Sequence, residues 1–111
     1  MLVFKPKKIS ENIYCYEAFE NDSKLGFCRV KLDNQYAEIM QVEAFNNDSL
    51  IAEGLIRSTL NLAANEGAYI AKADSDNVDS QILIKMGFKN KDGIYQNDIP
   101  SALQGTCKSF A

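Results

Sequence analysis

The sequence of 111 residues contains no histidine, only two prolines and only three cysteines. Without histidine the chain cannot hold a Ser-His-Asp triad, a Cys-His pair, a histidine-ligated zinc ion or a histidine general base. Cys15, Cys28 and Cys107 show no C-x-x-C spacing, which excludes a zinc ribbon and a thioredoxin-type dithiol. We therefore expect no metal site in this chain.

Charge and hydropathy narrow the class of protein further. Fifteen acidic residues against twelve basic ones give a net charge of −3. The composition therefore gives no reason to expect nucleic-acid binding, which depends on a basic surface. Apolar runs are only a few residues long, so we expect no membrane span. The odd number of cysteines and the absence of a signal peptide favour a reducing, cytoplasmic location. The length fits one domain over residues 1–111.

The first half of the chain has the pattern of an antiparallel meander. Strand-forming or alternating residues fill positions 12–20, 25–33 and 36–45, with turn clusters between them. Apolar residues then recur at helical spacing from residue 50 to residue 66. Asp48 or Ser49 is suited to cap the start of this helix, and Gly67 is suited to end it.

The second half alternates strand and helix. Residues 68–73 read as a short buried strand, 79–86 as a helix, and the stretch from residue 88 as a hairpin with its turn at 91–93. The predicted class is α/β (α+β), with a mixed, mostly antiparallel sheet in the order β-β-β-α-β-α-β-β. Because Pro6 and Pro100 bracket this body, residues 1–10 are expected to be an N-terminal segment and 100–111 a C-terminal tail.

Three stretches between residues 25 and 90 carry a resemblance to a known family. Residues 36–42 look like its long strand before a helix, and 52–67 match the length of that helix and its trailing glycine. Asn77 with residues 85–88, Lys-Met-Gly-Phe, is similar to its N-x-x-A-x-x-x-Y-x-x-x-G-F stretch. The chain thus resembles the GNAT superfamily of acyl-CoA-dependent N-acetyltransferases. It looks like a short variant lacking the usual N-terminal strand and two helices, which shape the acceptor site.

The resemblance implies that acetyl-CoA is the co-substrate. Family members hold its pyrophosphate on the amides of an R/Q-x-x-G-x-G/A loop at a helix start, and its pantetheine on the preceding strand. Asn47, Leu50 and Ala52 occupy the loop pattern in one register; Ser49, Ala52 and Gly54 do so in a shifted one. The implied contacts are Met40, Gln41, Val42, Asn47, Asp48, Ser49, Leu50, Ile51, Ala52 and Asn77.

The same resemblance implies a general base, and it indicates that the family's usual general acid, a tyrosine, is absent from its position. Glu38 is the expected base that removes the amine proton, and Glu43 is the alternative. Leu83 stands where the family has a tyrosine that protonates the thiolate, and Tyr95 is the alternative acid. Asp48 and Glu53 bring negative charge to the phosphate loop.

Three functions follow as hypotheses. The first is an N-acetyltransferase that moves an acetyl group from acetyl-CoA to an amine. The second is a module that binds acyl-CoA without chemistry. The third is a structural protein with no CoA site, most simply a homodimer whose second copy covers the sheet face that the missing elements would cover.

Overall fold

The computed structural model describes residues 1–74 and 76–107. Within this part of the chain, seven strands form one sheet and three α-helices pack against it. The strands are β1 (Leu2–Lys8), β2 (Ile13–Glu20), β3 (Ser23–Asp33), β4 (Tyr36–Ala44), β5 (Ile70–Asp74), β6 (Lys89–Lys91) and β7 (Ile94–Asp98). The helices are α1 (Ser49–Asn65), α2 (Ser80–Lys85) and α3 (Ile99–Cys107), and a short 3₁₀ turn spans Phe45–Asn47.

The strands lie in the spatial order β1-β2-β3-β4-β5-β7-β6. Neighbouring strands are antiparallel except β4 and β5, which are parallel and are connected through α1. A parallel pair needs such a crossover, whereas the other neighbours are joined by short turns or by α2. The predicted class, with a mixed and mostly antiparallel sheet, is confirmed.

The structure adds one element at each end of the predicted order. The expected N-terminal segment forms β1, where Pro6 is tolerated because an edge strand can lack one N–H donor. The expected tail begins with α3, and Pro100 lies in its first turn, where helical amides have no partner within the helix. Asp98 caps α3 by accepting from the Ser101 amide at 2.8 Å. Residues 108–111 of the expected tail lie outside the described residues.

The core lies between the sheet and α1. Leu55, Ile56 and Leu60 of α1 are fully buried against Cys28, Val30 and Ile39 of the sheet. Two glycines permit this close packing. A Cβ at Gly26 would meet the backbone of Glu43 and the side chain of Leu55, and a Cβ at Gly54 would lie 2.7 Å from the ring of Phe4.

The opposite sheet face, called here the open face, carries no helix among the described residues. α2 and α3 both contact α1 and share its core, so they lie on the same side as α1. Residues 9–12 lead directly from β1 to β2, without the two helices that the resemblance implies for complete family members. Lys24 and Arg29 lie over the ring of Phe27 on the open face, at 5.3 and 5.8 Å from its centroid. Their side chains therefore cover part of its apolar surface.

Candidate functional site

The most distinctive feature of the sheet is the point where β4 and β5 part. They pair from Tyr36↔Ile70 to Ile39↔Ala73 and no further. Beyond Ile39, β4 stays paired with β3 as far as Ala44, while β5 stays paired with β7 as far as Asp74. A wedge-shaped gap, called here the β4–β5 gap, therefore opens between two neighbouring strands.

A β-bulge in β4 accounts for this divergence. The register between β3 and β4 shifts at Arg29/Val30, and Met40 is left without a partner between Ile39 and Gln41. An extra residue of this kind bends a strand and increases its twist, which turns the second half of β4 away from β5. The bulge lies one residue after the last β4–β5 pair, so the gap begins where the strand bends.

Backbone amides of β4 face the gap. The Val42 amide donates across it to the Asn77 carbonyl in a long hydrogen bond of 3.5 Å. Since amides alternate between the two edges of a strand, the Ala44 amide points the same way, whereas Gln41 and Glu43 point toward β3. The gap thus offers hydrogen-bond donors that no neighbouring strand takes up.

A cleft of about 210 Å³ lies beside the gap on the helix side of the sheet. It is lined by Val42, Glu43, Ala44, Asn47, Asp48, Ser49, Ala52, Ile56, Val78, Asp79 and Ile82. Five of the ten residues predicted to contact acetyl-CoA are in this set: Val42, Asn47, Asp48, Ser49 and Ala52. Met40, Gln41, Leu50, Ile51 and Asn77 do not line the cleft, with Leu50 pointing to solvent at 75% exposure and Ile51 buried in the core.

The loop that enters α1 is shaped by two asparagines. Asn46 and Asn47 have φ angles of 64° and 54°, in the left-handed region that asparagine tolerates better than most residues. The chain then reaches Asp48, which caps the helix. Its carboxylate accepts from the amides of Leu50 and Ile51 at 3.0 and 3.3 Å. Of the two predicted caps, Asp48 rather than Ser49 takes this position, and its own carboxylate occupies the amides that would face a phosphate.

The cleft is acidic. Glu43, Asp48 and Asp79 line it, and no lysine or arginine is among its lining residues. Asp79 is also a cap, accepting from the Gln81 amide at 2.9 Å at the start of α2. The charge of Glu53, expected from the sequence to weaken phosphate binding, is compensated by an ion pair of 2.9 Å with Lys85.

The candidate proton-transfer residues lie apart from one another. Glu38 is exposed on the open face, in register between Lys31 of β3 and Lys72 of β5. Glu43 lines the acidic cleft. Leu83 is completely buried in the core, so this position holds an apolar side chain that supplies no proton. Tyr95 of β7 is half-buried and packs against the same core.

A second cavity borders the gap on the open face, and sequence reasoning missed it. About 380 Å³ in volume, it is lined by Glu38, Lys72, Ala73, Asp74, Lys91, Asp92, Ile94 and Gln96. Residues 68–73 were expected to form a buried strand, which holds for Ala71 and Ala73 but not for Lys72. The alternation of small residues with Lys72 and Asp74 was the signal for a strand with one polar face.

Two searches of the described residues concern other kinds of site. None of the helices among residues 1–74 and 76–107 is long and apolar enough to cross a membrane. In the same part of the chain, no group of three or more cysteine, aspartate or glutamate side chains is arranged to hold a metal ion.

Comparison with known proteins yields matches to solved structures only. No family model matches the chain, and no curated protein sequence matches it significantly. An acetyltransferase of the GNAT family from Staphylococcus aureus Mu50 superposes with a TM-score of 0.66 at 13% identity, over 78% of this chain and 68% of that one. The ribosomal-protein-S18-alanine N-acetyltransferase of Escherichia coli gives 0.67 at 12% identity, over 81% and 71%.

A third structure carries a ligand. The PaiA N-acetyltransferase of Thermoplasma acidophilum, solved in complex with coenzyme A, superposes with a TM-score of 0.66 at 17% identity, over 78% of this chain and 61% of that one. Identities this low establish the shared architecture rather than a shared activity. The chain has the fold of the GNAT superfamily.

Proposed function

We propose that the chain binds acetyl-CoA and transfers its acetyl group to an amine. The observation that carries the proposal is the β4–β5 gap, into which the amides of Val42 and Ala44 point without a strand partner. A pantetheine arm has amide groups and an extended shape, so it can add to the free edge of β4 as a further strand would. The coenzyme A bound to the PaiA structure supports the same ligand class.

The transfer reaction needs few catalytic side chains. The amine nitrogen attacks the thioester carbon, a C–N bond forms, the C–S bond breaks, and its electron pair leaves with sulfur. One proton passes from the amine to Glu38 or to water, and one proton reaches the thiolate from solvent, so the balance gives an amide and CoA. An amide of β4 donating to the thioester oxygen would stabilise the charge that develops there. Positioning the two reactants supplies the rest of the rate.

The pyrophosphate is the part of acetyl-CoA that fits least well. Its usual donors at the start of a helix are here the Leu50 and Ile51 amides, and the Asp48 carboxylate already accepts from both. A pyrophosphate can take these amides only by displacing Asp48, against the charge of Glu43 and Asp79 in the same cleft. We therefore expect acetyl-CoA to bind this chain only weakly.

Leu83 favours a second candidate function, a module that binds acyl-CoA without turning it over. With this position apolar and buried, no side chain there protonates the departing thiolate. The two candidates predict the same binding and differ in whether CoA is released when amines are added.

The proposal extends to assembly and location. A second copy of the chain docked on the open face would cover Phe27, which is now half-exposed beneath Lys24 and Arg29. Sedimentation at micromolar concentration tests this homodimer against a monomer. Cys15 and Cys28 are free thiols, which fits a reducing cytoplasm.

The decisive experiment is a titration of ¹⁵N-labelled protein with acetyl-CoA in phosphate-free buffer, followed by amide chemical shifts. We expect the signals of Val42 and Ala44 to shift most, since their amides face the gap. Gln41 and Glu43 are the internal control, because their amides are already bonded to β3. The absence of shifts at millimolar acetyl-CoA would refute binding, and release of CoA on adding amines would separate the enzyme from the inert module.

A further inference from the structure

The cavity on the open face has an unusual arrangement of charge. Two ammonium groups, Lys72 and Lys91, and three carboxylates, Glu38, Asp74 and Asp92, line it together. Ion pairs in the described part of the chain involve Met1 with Glu20, Lys24 with Glu17, and Lys85 with Glu53. None of the five charged groups of the cavity is in that set, so no two of them form an ion pair with each other.

Two of these groups are held in place by contacts that leave their charge accessible. The Lys72 ammonium lies 4.2 Å from the centroid of the Tyr36 ring, which fixes the nitrogen through a cation–π contact without an anionic partner. One oxygen of Asp74, a residue that lines the cavity, accepts from the Asp76 amide at 2.9 Å, which orients the carboxylate without neutralising its charge.

The spacing of the two fixed groups suits one small ligand. Lys72 and Asp74 are two residues apart on β5, so they lie on the same face with their Cα atoms about 7 Å apart. Lys91, the last residue of β6, and Asp92 of the turn that follows line the same cavity, as does Glu38 of β4, which pairs with Lys72. Cationic and anionic binding groups thus stand side by side at the place where the gap reaches the open face.

We propose that the acceptor is a zwitterion of the α-amino-acid type, held in this cavity by both of its charged groups. Its carboxylate binds Lys72 and Lys91, and its amino group lies between Asp74 and Glu38, next to the gap. This inference rests on the proposed function for its reaction, but the binding step it describes needs no acetyl-CoA.

Other amines fit the cavity less well. A diamine or polyamine would place a second positive charge beside Lys72 and Lys91, where like charges repel. A simple carboxylic acid would satisfy the lysines but would leave Asp74 facing another anion. A simple monoamine, which is a cation at neutral pH, would use only the acidic half of the lining. Only a ligand with both signs of charge close together satisfies both halves.

The test is a binding titration of the full chain without acetyl-CoA, read from amide shifts of Lys72, Asp74 and Lys91. The probes are glycine and the nineteen standard L-α-amino acids, each beside its carboxamide, which lacks the carboxylate, and its N-acetyl derivative, which lacks the amino group. We expect at least one amino acid to bind at least about tenfold more tightly than both of its derivatives, a difference of about 1.4 kcal/mol.

Lys72→Met should abolish this preference for the free carboxylate, while the rest of the spectrum shows that the variant is folded. Lys8→Met is the matched control, because Lys8 also lies over a tyrosine ring, that of Tyr14 at 5.7 Å, but at the other end of the sheet. The control variant should keep the wild-type preference. A loss of equal size in both variants would overturn the assignment of the lysine.

The outcomes separate this inference from the proposed function. Amino acids that bind no better than both derivatives overturn the inference, even when acetyl-CoA binds and simple monoamines are acetylated. Preferential binding of an amino acid supports it, even when acetyl-CoA fails to shift Val42 and the transferase proposal falls. If acetyl-CoA and the preferred amino acid both bind, acetylation of that amino acid supports both the transferase proposal and the amino-acid site.

Discussion

Replacing Asp48 by glycine should weaken the start of α1 and, at the same time, strengthen the binding of acetyl-CoA. The carboxylate now accepts from the Leu50 and Ile51 amides at 3.0 and 3.3 Å. Losing an acidic cap in favour of glycine costs a few tenths of a kcal/mol, and losing its interaction with the helix dipole adds about 0.3–1 kcal/mol. We therefore expect the free energy of unfolding to fall by about 1 kcal/mol in urea titrations.

The gain in affinity comes from charge and from the vacated amides. Two unit charges about 5 Å apart in water repel by about 0.8 kcal/mol, so a carboxylate beside a doubly charged pyrophosphate costs about 1.5 kcal/mol. Removing it should lower the Kd of acetyl-CoA by about tenfold in calorimetry at low salt, and the two freed amides should add to this. Asp48→Asn, which removes the charge but keeps a capping side chain, should give a smaller gain.

Asp98→Gly is the matched control, since Asp98 caps α3 through the Ser101 amide at 2.8 Å and does not line the acidic cleft. It should lose stability without any change in the Kd of acetyl-CoA. The reasoning fails if Asp48→Gly binds acetyl-CoA no more tightly than the wild type, because the pyrophosphate then does not lie at the start of α1.

Two further predictions concern the core that supports the gap. Burial raises the pKa of Cys28 from 9.0 to about 12, so the folded state keeps a proton that the unfolded chain loses, and stability should fall as the pH rises above 9.0. Between about pH 9 and pH 10.5 the wild type should lose up to about 1.4 kcal/mol per pH unit more than Cys28→Ala; parallel urea curves at every pH would contradict this. Gly26→Ala should lower the free energy of unfolding by about 2–4 kcal/mol, because its Cβ would meet the backbone of Glu43 on β4. Gly93→Ala, whose Cβ meets nothing but whose φ is +89°, should lose only about 1 kcal/mol, and equal losses would show that crowding at β4 is not the cause.

Local signals in the sequence were enough for the middle of the fold. Asp48 caps α1, as its position predicts, whereas Asp79, the first residue of the predicted helix 79–86, caps α2 instead of belonging to it. Gly67 and Gly87 follow these helices with positive φ angles. These features depend on a few neighbouring residues. The ends of the chain were harder, because proline was read as a boundary, although an edge strand and the first turn of a helix both accommodate it.

The candidate site was less predictable because its parts meet through the sheet. The bulge at Met40 depends on how β3 and β4 pair, and the gap depends on β5 remaining paired with β7. Neither pairing can be predicted from a short stretch of sequence. Lys72 and Lys91 are nineteen residues apart and line one cavity only because β5 and β7 are neighbours. Both facts follow from pairing between distant segments.

The capping of α1 and the binding of a phosphate compete for the same atoms. A helix start has a few free amides, and a carboxylate or a phosphate can accept from them, but not both at once. In this chain the Asp48 carboxylate accepts from two of them, and no lysine or arginine lines the cleft beside it. An acyl donor must therefore gain most of its affinity elsewhere. The amides that face the gap are those of Val42, whose bond to the Asn77 carbonyl is long at 3.5 Å, and Ala44; in the proposed binding mode they would bind the pantetheine arm rather than the pyrophosphate. If the proposed function holds, the chain would select its donor by the thioester end.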